Sequence, residues 1–163
     1  MSTAYRPSEQ IGALSEAEVA RFLAEPWNGR IATIGPDGWP YVAPVWYEFE
    51  PDRRTFLVVG RERARWIAHI RADRRVAFHV ADDVHAQHTR VQVQATARIL
   101  EGPVAPTASP TLLDLTHRLS RRYLGPDGPR YAERTLGRPR VLVRLEPVAW
   151  TTWTGGEWHP RYR

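Results

Sequence analysis

Between Gly29 and Val80 apolar residues fall in short runs separated by turn-forming residues, a pattern of strands with one amphipathic stretch among them. Gly29 to Ile34 predicts a strand, Pro36-Asp37-Gly38 a turn, and Pro40 to Phe49 a returning strand, so the two form a hairpin. In the second strand Tyr41, Ala43, Val45, Tyr47 and Phe49 share one face, with Val42, Pro44, Trp46 and Glu48 on the other. Glu50 to Arg54 turns the chain into a third strand, Thr55 to Val59. Glu62 to Ile70 then changes period to a helix with Trp66, Ile67 and Ile70 in one stripe, and Val76 to Val80 is a fourth strand.

The flanks extend this plan. Leu14 to Ala24 reads as an amphipathic helix opened by a Ser15/Glu18 capping box and stopped at Glu25-Pro26, a packing or lid helix. Arg90 to Leu100 alternates Val91, Val93, Ala95, Ala97 and Ile99 against polar neighbours. A proline-rich joint, Gly102 to Pro110, leads to a helix over Thr111 to Leu124 whose Leu112, Leu115, Leu119 and Tyr123 face the core. Gly125 to Pro129 breaks that helix, a short helical piece runs to Leu136, and Arg140 to Thr151 is the last strand. The order is that of a small β-barrel with a helix inserted, and 163 residues fit a single domain.

Composition narrows the chemistry. The basic residues are 23 arginines without a lysine, set among 18 acids for a net charge of +5. That charge is scattered and accompanies no nucleic-acid motif, so no nucleic-acid partner is expected. No apolar run approaches the roughly 20 residues of a membrane span, the start lacks a secretory pattern and there is no cysteine, so a cytoplasmic protein is expected. Nucleophile elbows, phosphate loops and paired carboxylates are missing from the pattern. His85 and His88 fall short of a metal signature and read as loop residues, whereas His69 and His79 fit the helix and strand patterns as structural residues.

The most concentrated chemistry is Gly60-Arg61-Glu62-Arg63-Ala64-Arg65-Trp66, where a strand passes into a helix start rich in guanidinium. Free N–H groups of a first helical turn together with arginine forks suit the phosphate of a cofactor, and Gly60 would allow close backbone approach. Pro44 cannot donate to a sheet ladder and marks an edge or bulge where a barrel opens to a flat ligand. Trp46 is either a core aromatic or a stacking platform for that ligand. The tryptophan-rich tail, Trp150 to Trp158, calls for burial against the barrel mouth or a partner subunit.

Gly38-Trp39-Pro40 through Trp46, Thr55 to Gly60, and Arg65 to Val76 resemble the pyridoxamine 5'-phosphate oxidase-like family of flavin and deazaflavin proteins, with a likeness spanning Leu14 to Leu100. The resemblance implies a mainly β, six-stranded split β-barrel with flanking helices that pairs as a homodimer. It implies an oxidoreductase using FMN or, alternatively, the deazaflavin coenzyme F-420, and acting on a small planar conjugated substrate. A flavin- or haem-binding carrier or sensor without turnover is the alternative. Carried over by position, it sets the cofactor ring against Ala43, Pro44, Val45 and Trp46 and the phosphate near Val59, Gly60, Arg61 and Arg65, with Trp66 adjoining and Arg90 facing the ring. The chain departs from the family pattern at Trp66, where relatives often carry a phosphate-binding lysine, at Arg74 in place of proline and at Ala95 in place of glycine.

Overall fold

A computed structural model gives the fold and describes residues 12–85 and 88–155. In chain order the elements are α1 (Glu16–Ala24), β1 (Gly29–Ile34), β2 (Pro40–Val45), β3 (Tyr47–Glu50), β4 (Thr55–Arg61), α2 (Arg65–Ala72), β5 (Arg75–Ala81), β6 (Arg90–Val104), α3 (Pro110–Leu124), α4 (Gly128–Glu133) and β7 (Arg140–Trp153), with a 3-10 turn at Pro106–Ala108. The strands make one antiparallel sheet in the order β2-β1-β5-β6-β7-β4-β3. Among the described residues no helix is long and apolar enough to cross a membrane.

Seven strands replace the expected six because the run Pro40 to Phe49 breaks at Trp46. There the chain changes ladder partner: Val45 pairs with Gly29 of β1, whereas Tyr47 pairs with Val58 of β4. The Tyr47 N–H donates instead to the phenol oxygen of Tyr123 on α3, at 3.2 Å. The predicted facing survives the break, since Ala43 and Tyr47 point inward.

β2 and β3 are consecutive in the chain yet lie at opposite ends of the sheet order. Inward residues from both, Ala43 and Tyr47, join Phe56, Phe78, Val93 and Val143 in one core, which requires the sheet to curl round its own interior. α2 plugs one end with Trp66, Ile67 and Ile70, and α1 adds Val19, Phe22 and Leu23 behind the capping box formed by Ser15 and Glu18. A second apolar layer lies outside the sheet, where Leu112, Leu115 and Leu119 of α3 cover Leu142 and flank Leu57 and Val59. Each leucine so buried contributes about 1.5–3 kcal/mol.

Two details depart from the sequence pattern. The alternation of β6 holds through Ala97 and then fails, leaving Ile99 and Leu100 partly exposed, because the register with β7 shifts on either side of Glu101. In the tail, Trp150 packs on Phe49 and Phe56 of its own chain and carries Arg54 over its ring at 4.9 Å, while Trp158 lies outside the described residues.

Candidate functional site

The sheet does not zip shut. β3 pairs with β4 only as far as Val58, so Val59, Gly60 and Arg61 keep β7 on one side and have no ladder partner on the other. β2, an edge strand that carries Pro44, approaches β4 without pairing to it. This open seam is one wall of a cleft of about 790 Å³, formed by Pro44, Val45 and Trp46 opposite Val59, Gly60 and Arg61. The start of α2 and the turn before it close its head with Arg63, Ala64, Arg65 and Trp66, and α3 and the α4 region supply the facing wall. Its size falls within the usual range for cofactor sites.

Charge is distributed unevenly around it. Arg61, Arg63, Arg65 and Arg140 line the cleft, and among the described residues no aspartate or glutamate does. None of the four forms an ion pair among the described residues. Arg61 and Arg140 are register partners across β4 and β7, a like-charged opposition that costs stability unless an anion offsets it. Burial, followed by the charges of Arg61 and Arg138, makes Arg140 easier to deprotonate than an ordinary arginine. Its Nη2 donates to Thr135 Oγ1 at 2.7 Å, and its Nε is buried with no partner. At the cleft head α2 starts without a side-chain cap and without an acid in its first turn, so its leading N–H groups are left for a ligand.

The apolar part is held by α3. The Trp46 indole stacks flat on Tyr123, with ring centroids 5.1 Å apart and planes 3° from parallel. Tyr123 Oη donates to the Trp27 carbonyl at 3.0 Å, and burial raises its pKa, keeping the phenol neutral. Next to it Arg122 donates to the carbonyls of Leu23 and Glu25, pinning the end of α1, and lies over the Tyr47 ring at 5.0 Å. Trp46 packs one face on α3, as a core aromatic would, and also lines the cleft.

Eight of the ten residues singled out in the sequence meet in this cleft: Pro44, Val45, Trp46, Val59, Gly60, Arg61, Arg65 and Trp66. Two do not. Ala43 is buried on the inward face of β2, and Arg90 stands exposed at the start of β6, opposite Ala81 and Trp153. The reason expected for Gly60 also changes. Its inward side is filled by the Trp66 indole, and a Cβ added there would fall 2.4 Å from the ring, so the glycine makes room for a buried tryptophan instead of for an anion.

The facing wall escaped the sequence reading. Thr116 and Ser120 interrupt the apolar stripe of α3 at helical spacing, and both are buried; the Thr116 hydroxyl has no partner and Ser120 donates to the His117 carbonyl. Buried hydroxyls on an otherwise leucine-lined helix face were the available signal. Tyr131, Thr135 and Arg140 come from segments whose pattern marks only a short helix and a strand start.

Of the histidines, Nδ1 of His69 hydrogen-bonds Thr33 Oγ1 at 2.9 Å, and His85 pairs with Asp82 at 2.7 Å. Among the described residues no group of His, Cys, Asp or Glu is placed to hold a metal ion.

The fold is a β-barrel opened along one seam, with a cationic cleft beside it that no acid lines among the described residues. The chain belongs to the pyridoxamine 5'-phosphate oxidase family, whose sequence profile matches residues 15–154. Over 72 residues it is 38% identical to the 5a,11a-dehydrotetracycline/5a,11a-dehydrooxytetracycline reductase of Streptomyces rimosus. That match covers 43% of this chain and 50% of the reductase, so the chain spans about half the length of the curated relative it matches. A conserved hypothetical protein of Mycobacterium tuberculosis shares the fold with a TM-score of 0.66 and 26% identity, covering 92% of this chain and 90% of that one. A solved F420 reductase superposes with a TM-score of 0.60 at 24% identity, covering 80% and 94%, a likeness of fold.

Proposed function

We propose that this chain is a flavin-type oxidoreductase that holds FMN or the deazaflavin coenzyme F-420 in the seam cleft and acts on a small planar conjugated substrate. The observation that carries the reading is the set of guanidinium groups without an ion pair among the described residues at the uncapped start of α2, at the head of a cleft that no described carboxylate lines. These donors fit a phosphate: Arg65 and the leading N–H groups of α2 bind it from one side and Arg61 from the strand end, each charge-assisted bond contributing about 1.5–3 kcal/mol. When bound, such a cofactor supplies hydride chemistry. The chain's own part is to position and to exclude water. Pro44, Val45 and Trp46 offer an apolar wall to a flat ring, and Tyr123 keeps Trp46 at a fixed angle.

The Streptomyces rimosus relative is a reductase of 5a,11a-dehydrotetracycline and 5a,11a-dehydrooxytetracycline, and this supports a reductive reaction at the cleft. Pairing into a homodimer is part of the proposal. Val42 and Ile34, at the open end of the sheet, and Val148 across a shallow groove are exposed apolar residues that a second copy would cover. For the haem alternative the cleft offers no histidine, cysteine or methionine among its described lining residues, and Tyr41 and Tyr131 are the side chains there of a type that ligates haem iron.

The test is to incubate the purified protein separately with FMN, coenzyme F-420 and haemin, remove free ligand and record the visible spectrum. Retention of FMN or the deazaflavin, reduced by a suitable donor and reoxidised by a planar enone, is expected. Retention of haem alone, or of none of the three, would overturn the reading.

A further inference from the structure

The cleft holds more cationic ends than one phosphate uses, and they form two groups. Arg63 and Arg65 flank the start of α2, whereas Arg140, at the head of β7 and beside Arg61 in the ladder, turns to Thr135 through its Nη2. Arg140 is partly buried, its Nε has no hydrogen-bond partner, and no acid answers it among the described residues. A partly buried guanidinium beside two others, with no carboxylate among the described residues to answer it, costs stability that an anionic occupant would offset.

We propose that Arg140 and Thr135, with Arg61 shared, form a second anion subsite that takes a carboxylate or phosphate distinct from the phosphate at the start of α2. The inference rests on the cofactor reading above. The anion has two possible sources, the carboxylates on the tail of coenzyme F-420 or an acidic group on a separate substrate. Both present the same oxygens to the same forked donor.

Three dyes separate the subsites: riboflavin has no phosphate, FMN has one, and coenzyme F-420 has a phosphodiester and tail carboxylates. Fluorescence titrations compare the intact protein with Arg140→Gln and Arg65→Gln, and melting temperatures are read without dye. Arg140→Gln is expected to weaken F-420 binding about tenfold or more while FMN stays within about twofold, and to leave the melting temperature unchanged or higher. Arg65→Gln is expected to weaken both phosphorylated dyes and spare riboflavin. If Arg140→Gln changes no dye but abolishes the rise in melting temperature that inorganic phosphate gives the FMN-loaded protein, the subsite stands and its anion is separate from the cofactor.

Equal losses for FMN and F-420 would merge the two subsites and overturn the proposal. So would the absence of any change in dye or phosphate binding. Arg140→Lys keeps the charge and is expected to restore part of the binding; a variant pair that only lowers the melting temperature would mark Arg140 as structural. Should no dye bind the intact protein, the cofactor reading fails. The phosphate arm on the dye-free protein then decides the subsite by itself, its loss in Arg140→Gln supporting it and its persistence overturning it.

Discussion

Arg140 and Arg144 lie four residues apart on the same outward face of β7, on either side of Leu142, yet their surroundings are opposite. Arg144 donates through Nε to Glu50 at 3.2 Å, and Glu50 also accepts from the Thr55 hydroxyl. Arg140 stands beside Arg61 in a cleft that no carboxylate lines among the described residues. The same division runs through the molecule: Arg30 meets Asp83, Arg54 meets Glu16, and Arg118 bridges Glu48 and Asp114, while the cleft arginines meet no acid among the described residues. A guanidinium neutralised inside the chain serves the fold. One left unneutralised in a concave site is available to a ligand, and in this protein the two kinds occur within a single strand.

The largest effect that would sharpen this contrast is on binding. Arg65→Gln should weaken FMN by about ten- to a hundredfold, the worth of one or two charge-assisted bonds, and Arg144→Gln should leave it unchanged. Fluorescence titration reads both, and equal losses would break the contrast. Stability should respond in the reverse sense. Arg144→Met leaves the partly buried Glu50 carboxylate with Thr55 alone and should cost about 1–2 kcal/mol, less than a fully buried pair because both side chains retain some solvent. Arg140→Met should cost nothing or stabilise, since it removes a cation from beside Arg61 and an orphaned donor. Urea unfolding of the two variants checks the sign.

A smaller effect is expected where charges are paired in solvent. Arg118→Gln should cost less than about 1 kcal/mol, and raising the salt concentration should shrink the difference, because screening already weakens exposed pairs. The smallest effect belongs to His79. Burial, then the charge of Arg30, lowers its pKa below the ordinary 6.5. Between that value and the lowered one the unfolded chain binds more protons, so stability should fall as the pH drops through this window and be fully present above it. His79→Gln should flatten that part of the pH profile of the urea midpoint.

How much of this could be read from the chain differs by element. The Ser15/Glu18 capping box, the inward face of Pro40 to Phe49 and the buried alternation of Val91 to Ala97 are local patterns, and each is found in the structure. The cluster from Gly60 to Trp66 was legible because the cations adjoin one another in sequence. The break at Trp46 was not, because what ends the strand is the phenol of Tyr123, which arrives from α3. Nor was the meaning of Gly60, which depends on the Trp66 ring folding back over it from the next helix.

By itself the sequence determined the strand and helix order, the faces that enter the core and one wall of the cleft, since period, caps and turns are set by neighbours along the chain. The tertiary structure alone decided that the sheet stays open between β2 and β4, that Arg140 meets Arg61, and that Thr116, Thr135 and Tyr131 complete the opposite wall. Those relations are distances between segments far apart in the chain, fixed by how the sheet curls and how α3 packs on it, and no local pattern encodes them.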